Sequence, residues 1–416
     1  MKVFKFGGAS VRNATGVRNL YEIVACTPGD LMVVVSAMGK TTNALERVVA
    51  AMEKGDKAEA QAEWQAILDY HIQIMSELGL QNNLDLRLPD AMPYCETDSY
   101  DKNYDQIVSL GEIMSTQIVA VFLLSHGVPT EWWNMPKLLR TDDTYTDAQV
   151  DMDISCRQIQ AGWKREKRPR VVVTQGFIGG TGSGERTTLG REGSDYSAAL
   201  LGNFLDAESV TIWKDVPGIL NADPRLVADT VLIPELSYND AVELSYSGAQ
   251  IIHPKTIRPL ENKRIPLYVK PFSNPKATGS VIYADAKRLV GVPVYIWRKN
   301  QVLITMRAKD FSFVLEESLS HIFEVIKTHR LRVSLIQSSA VTISVCVDSS
   351  RYLHDAILQL SERYRVTYNE NLSMLTIRGV THALLEREKA GRTVLLSQTT
   401  RNTARLVIRE EDRGKT

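Results

Sequence analysis

Apolar and polar positions over the first two-thirds of the chain alternate between two periods. Short β-branched or aromatic runs read as strands: Val3, Phe4 and Phe6 at the start, LMVVVSA at 31–37, RPRVVVTQGF at 168–177 and SVTIWKDV at 209–216. VPTEWWN (128–134) and PKLLRT (136–141) read as shorter strands. Between them lie segments of helical spacing. VRNLYEIVAC places Val17, Leu20, Ile23 and Val24 on one face, KAEAQAEWQAILDYHIQIMSEL is helical by propensity and period, and IVSLGEIMSTQIVAVFLLSHG is a helix stopped by Gly127. A further helix starts at Ser194 or Asp195 and runs through SAALLGNFL. Strand and helix in alternation predict an α/β fold, a mostly parallel open sheet flanked by helices, with ligands beyond the carboxyl ends of the strands.

The rhythm changes near residue 290. VLITMRA, a helix over 316–328, RVSLIQ and VTISVCVD form a β-α-β-β series, and YLHDAILQLSERY, RVTYNENLSMLTIRG and TARLVIRE extend it. This pattern predicts two small ferredoxin-like α+β units. Gly291-Val292-Pro293 is the expected junction, dividing the chain into 1–290 and 291–416.

Composition changes this picture little. The 416 residues are 44% hydrophobic and 24% charged, with 49 basic and 49 acidic side chains, so no global field favours nucleic acid or a membrane surface. Any anion must be held by local geometry. Cys26, Cys95, Cys156 and Cys346 are scattered, without metal-site spacing, and are expected as reduced thiols. No signal segment and no apolar stretch long enough to cross a bilayer is recognised, and the expected location is cytoplasmic.

Four glycine-bearing loops follow four strands. In KFGGAS, Lys5 precedes Gly7 and Gly8, which permit positive φ and close approach to the backbone. SAMGKTTN (36–43) ends like a phosphate-binding P-loop, but Val34 stands where the first glycine is required, and the P-loop reading fails. GFIGGTGSGERTTLGREGSD (176–195) combines glycines with Arg186, Thr187, Thr188 and Arg191 and suits a small anion; a structural reading makes it a solvated hairpin with Asp195 as a cap. WKDVPGILNADPR (213–225) carries Lys214, Asp215 and Arg225, and SGAQIIHPKTIRPL sets Lys255 after Pro254 at a helix start, where unpaired N–H groups favour anions. Lysines at glycine turns with an aspartate between them suit phosphoryl transfer, in which the protein mainly positions charge.

KFGGASV, VVVSAMGKTTN, SLGE, TTLGREGSD, WKDVPGILNADPR and SGAQIIHPKTI, in this order, resemble the aspartate kinases of the amino-acid kinase superfamily, and the tail resembles their paired ACT domains. The resemblance implies that Lys5, Asp195 and Lys255 are catalytic. It implies that Ser36, Thr42, Glu112, Arg191 and Ser194 bind the amino acid, with Glu112 on its ammonium group and Arg191 on a carboxylate. On the nucleotide side it implies Lys5, Gly7, Gly8, Ser10, Lys214, Asp215, Leu220, Arg225 and Lys255. The implied reaction takes ATP, with Mg²⁺ on its phosphates, and L-aspartate to 4-phospho-L-aspartate. An amino-acid effector at the ACT domains and a homodimer or homotetramer are implied as well.

Three positions depart from the family pattern: Glu192 stands where many relatives have glycine, Leu220 where tyrosine is frequent, and Ser334 where lysine-inhibited relatives carry an acidic residue. The sequence therefore leaves the effector open, lysine included. A kinase of glutamate, acetylglutamate or uridylate and a non-catalytic amino-acid sensor are the competing readings. His253 is expected to hold the turn before Lys255, Trp132 and Trp133 to pack, and KREKRPR (164–170) to be a solvated helix end.

Overall fold

The structure, a computed structural model, describes all residues except 82, 84, 85, 87, 90, 91, 93–98, 228, 250, 251, 287–291, 310–315 and 413–416. Cys95 and Gly291 lie outside the described residues. The chain forms two compact units, one of Met1–Ile219 with Leu232–Val242 and Ile251–Arg288, the other of Leu220–Val231, Glu243–Gln250 and Leu289–Thr416.

The first unit is built on eight strands: β1 (Lys2–Phe6), β2 (Leu31–Val35), β3 (Thr130–Trp133), β4 (Val171–Gln175), β5 (Ser209–Lys214), β6 (Glu235–Ser237), β7 (Leu267–Pro271) and β8 (Ser280–Tyr283). Their order across the sheet is β6-β8-β7-β5-β1-β2-β4-β3, and every pair is parallel except β7 with β8. All five residues of β2 and of β4 are buried, as expected of parallel strands covered on both faces. Lys5 lies near the carboxyl end of β1, level with Val34 of β2 and Ile212 of β5. The sheet thus delivers the lysine to the edge where ligands collect.

Helices α1 (Ala14–Ala25), α2 (Thr41–Glu53), α3 (Lys57–Glu77), α4 (Tyr100–Val108), α5 (Leu110–Ser125), α6 (Met152–Trp163), α7 (Gly193–Phe204) and α8 (Pro254–Glu261) surround it. Val17, Leu20, Ile23 and Val24 of α1 are buried as their spacing predicts, and Asn13 caps that helix by accepting from the Gly16 N–H. Gly127, at φ +80°, follows α5, and the Val128 N–H returns to the Leu123 carbonyl, which closes the helix in a left-handed turn.

Three expectations are corrected. PKLLRT is not a strand: Met135–Lys137 is a 3-10 turn, and only isolated bridges form at Arg140 and Thr141. Pro136 supplies no N–H to a ladder, which favours the turn. The run Tyr100–Ser125 is, by length and composition, a helix long and apolar enough to cross a membrane, contrary to the sequence reading. Most of that stretch is buried against the protein's own sheet and helices, as in the core helix of a layered fold. Finally, α7 begins at Gly193, and Asp195 lies inside its first turn rather than capping it.

The second unit carries β9 (Val294–Ala308), β10 (Val333–Ser338), β11 (Thr342–Asp348), β12 (Tyr364–Arg378), β13 (Val394–Thr399) and β14 (Thr403–Arg409) in one antiparallel sheet, ordered β10-β11-β9-β12-β14-β13. Helices α9 (Glu316–Thr328), α10 (Leu353–Arg363) and α11 (His382–Lys389) complete it. β9 and β12 are each fifteen residues long and serve both ferredoxin-like modules, with register shifts between Arg298 and Leu303 marking the passage between them. Val302, Ile304 and Met306 pack with Ile322, Val325 and Leu360 in one core, and Leu375, Ile377 and Leu385 with Leu406 and Ile408 in another. Of this unit, α11 and β13 lack a strong period and were not expected from the sequence.

Candidate active site

The loop after β1 and the loop after β2 lie backbone to backbone. The Gly39 N–H donates to the Gly8 carbonyl at 3.0 Å, and a Cβ on Gly8 would stand 2.6 Å from the Ala37 carbonyl oxygen. Gly8 is therefore required by close approach. Neither Gly7 nor Gly8 has positive φ, contrary to the expectation; that conformation falls to Gly39, at +59°.

A cleft of about 630 Å³ opens at this edge of the sheet. Its lining includes Lys5, Gly7, Gly8, Ser10, Ser36, Thr42, Glu112, Arg191, Ser194, Asp195, Lys214 and Asp215, so residues spread over two hundred positions of chain converge as anticipated. At its floor the Lys5 Nζ lies 2.7 Å from Asp195 Oδ1, and the Lys214 Nζ lies 3.7 Å from Oδ2. Burial opposes a charge on Asp195, but the Lys5 ammonium and then that of Lys214 outweigh it and hold its pKa below the ordinary carboxylate value. Two ammonium groups against one carboxylate leave a positive charge facing the cleft.

Glu112 is the second buried carboxylate of the cleft. Its Oε1 accepts from the Ala37 N–H at 3.1 Å, whereas its Oε2 is buried with no hydrogen-bond partner. Burial raises its pKa to about 7, against the lowering influence of the Ala37 N–H and the Lys5 charge. Glu112 is a lining residue of the cleft, and a buried carboxylate oxygen without a partner there is suited to an ammonium group. The Arg191 guanidinium in the same lining suits a carboxylate.

Three predicted residues are not brought into the lining. Lys255 Nζ pairs instead with Asp147 Oδ1 at 2.6 Å, next to the lining residues Thr146 and Gly190; the cation sharing Asp195 with Lys5 is Lys214. Leu220 and Arg225 belong to the other unit, and the Arg225 guanidinium is engaged by the Asp223 carboxylate. Within GFIGGTGSGERTTLGREGSD, residues 178–180 and 186–188 pair as a hairpin, the structural alternative for this stretch. Arg186 there donates to Ser109 Oγ and the Gln106 carbonyl, which makes it structural. His253 behaves as expected: its Nδ1 accepts from the Lys255 N–H and caps α8. Trp133 is buried against Trp163, and Trp132 donates to Thr116 Oγ1. In the basic run, residues 164–167 are exposed at the end of α6, as expected, while Arg168 pairs with Asp30 and Arg170 donates to the Thr27 carbonyl.

The sequence reading missed Glu46, Tyr104 and Thr146, all in the lining, whereas Thr188, named among the loop donors, is brought there. Glu46 lies one turn after Thr42 on α2, a spacing that could have found it. Its carboxylate accepts from the Tyr104 hydroxyl, a pairing no local pattern reveals. Asp105, fully buried on α4, was also missed. Its carboxylate accepts from the N–H groups of Thr146 and Thr188 and from the Thr188 hydroxyl, joining two lining segments.

The amino acid kinase family model matches residues 1–271, about two-thirds of the chain. The chain belongs to the amino acid kinase family. Within that family it is similar to the lysine-sensitive aspartokinase 3 of Escherichia coli strain K12, 29% identical over 392 residues that cover 91% of this chain and 86% of that protein. It is also similar to the chloroplastic aspartokinase 3 of Arabidopsis thaliana, 30% identical over 86% of this chain and 66% of that protein. The solved structure of E. coli aspartokinase III in complex with aspartate and ADP superposes with a TM-score of 0.82 at 27% identity, covering 100% of this chain and 97% of that one. The same enzyme in complex with lysine and aspartate superposes with a TM-score of 0.76 at 26% identity. These relatives agree with the two-part fold, a kinase-type parallel sheet followed by an antiparallel regulatory sheet.

Proposed function

We propose that this amino acid kinase is an aspartate kinase, transferring the γ-phosphoryl group of ATP to the β-carboxylate of L-aspartate to give 4-phospho-L-aspartate and ADP. The observation that carries this reading is the unpartnered Oε2 of Glu112 in a cleft that also holds Arg191 and the Lys5–Asp195–Lys214 cluster. Glu112 would receive the substrate ammonium group and Arg191 its α-carboxylate, with Ser36, Thr42 and Ser194 beside them. The β-carboxylate is already ionised at neutral pH and needs no general base.

Lys5 would face the transferred phosphoryl group, and Gly7, Gly8 and Ser10 would let the polyphosphate approach the backbone. Asp195 holds the Lys5 and Lys214 ammonium groups near one another before any phosphate arrives, so the positive field is preorganised. Mg²⁺, when bound, supplies neutralisation of the phosphate oxygens, which together with water would hold most of its coordination sphere. The similarity to an aspartokinase named as lysine-sensitive supports an amino-acid effector at the second unit, where Ser334 stands at the position that the family resemblance makes acidic in lysine-inhibited relatives. The outer strands β10 and β13 offer edges for pairing into a homodimer. A cytoplasmic location accords with the expected reduced cysteines.

A coupled assay of ADP release with aspartate, glutamate and UMP tests the reading. Activity with aspartate is expected. Activity confined to glutamate or UMP overturns it, as does ATP binding without turnover of any of the three.

A further inference from the structure

Glu192 immediately precedes α7 and adopts a left-handed backbone, φ 56° and ψ 25°, where glycine is favoured. A side chain in that conformation is retained at a cost, and its carboxylate does not cap its own helix. Instead, Oε2 accepts the His253 N–H at 2.8 Å, and His253 is the residue that caps α8. The His253 imidazole Nδ1 accepts in turn from the Lys255 N–H at 3.1 Å. Two consecutive hydrogen bonds therefore lead from a cleft-lining carboxylate to the backbone of Lys255.

The ring closes on the other side. The Lys255 ammonium is held by Asp147, whose Oδ1 would stand 2.8 Å from a Cβ on Gly190, two residues before Glu192. The electrostatics agree with this arrangement. α7 and α8 begin beside one another, joined by the bond from the His253 N–H to Glu192, and their positive dipole ends repel. A carboxylate between the two starts offsets that repulsion and fixes their spacing.

We infer that Glu192 is a positioning residue that sets the Lys255 turn against the start of α7, so that Lys255 reaches the nucleotide phosphates when Asp147 releases it. This inference rests on the kinase reading above. Glutamine in place of Glu192 keeps an oxygen acceptor for the His253 N–H, whereas glycine removes it and relieves the left-handed strain.

The experiment measures MgADP affinity by calorimetry in the full-length protein and in Glu192→Gln, Glu192→Gly, Lys255→Ala and the Glu192→Gly/Lys255→Ala double variant, with melting temperature recorded for each. We expect E192Q to bind as the parent does and E192G to bind roughly three- to ten-fold more weakly. The melting temperature of E192G should be unchanged or higher, because glycine fits φ 56° better. In the K255A background, adding E192G should change affinity by less than about two-fold. Equal weakening by E192G in both backgrounds, or loss in E192Q as large as in E192G, overturns the inference while leaving the kinase reading standing. A parent protein that binds no MgADP overturns both.

Discussion

Replacing Glu112 by glutamine isolates the group on which substrate recognition is proposed to rest. Its ordinary pKa of 4.5 is raised to about 7 by burial, so in the free protein the carboxylate changes charge across the neutral range. Only the ionised form attracts an ammonium group strongly. At pH 6 roughly a tenth of the protein carries it, and at pH 8 roughly nine-tenths, for a single titration centred near 7. kcat/KM for aspartate should therefore rise about ten-fold between pH 6 and pH 8. Glutamine keeps the shape and an acceptor for the Ala37 N–H but carries no charge, so Glu112→Gln should flatten this rise. At pH 8 it should also lower kcat/KM by roughly 10- to 100-fold, the worth of a charge-assisted hydrogen bond. ATP's own phosphate titration is common to both proteins and cancels in the comparison. Stability should move the opposite way with pH. A carboxylate with a raised folded pKa binds more protons folded than unfolded, so unfolding free energy falls as pH rises from about 4.5 to about 7, by up to roughly 3 kcal/mol. Chemical denaturation at several pH values should show that slope in the parent and lose it in the glutamine variant. Indistinguishable pH profiles for the two proteins would refute the assignment.

Other substitutions follow from the same geometry. Lys5→Ala removes the closest charge from a buried Asp195, so it should lower turnover by about 100-fold or more and cost roughly 3 kcal/mol of stability; near-normal turnover at a temperature where it is folded would contradict the role. Asp105→Ala strips the acceptor from the Thr146 and Thr188 N–H groups and should destabilise by about 2–5 kcal/mol in urea unfolding. In the second unit, Glu388 and Arg392 form a buried pair at 2.6 Å. Glu388→Ala should cost about 3–5 kcal/mol, and adding Arg392→Met should recover much of it; no recovery in thermal melts would show that packing, not charge, is what the pair supplies.

Element type was legible wherever a period ran long. β2 and β4 announced themselves because every residue of a doubly covered strand must be apolar or neutral, and α1 because one face must repeat every three to four residues. Short segments misled for the same reason. PKLLRT is too brief for a period to form, and the proline's missing N–H decided in favour of a turn. Convergence of KFGGAS, SLGE, TTLGREGSD and WKDV on one cleft could be expected from their order and motif content, since each follows or opens an element at the carboxyl edge of a parallel sheet.

By itself, then, the order of residues determined which side chains are available for chemistry: lysines beside glycine turns, a carboxylate within SLGE, an arginine before a helix. Partnership among them was decided only in three dimensions. Lys214 rather than Lys255 shares Asp195, Gly8 serves a backbone approach rather than a positive φ, and Glu112 is buried with one oxygen unsatisfied. Each of these depends on distances between segments far apart in the chain. Ionic attraction and desolvation act through space over a few ångströms, so no pattern read along the chain can rank one partner above another.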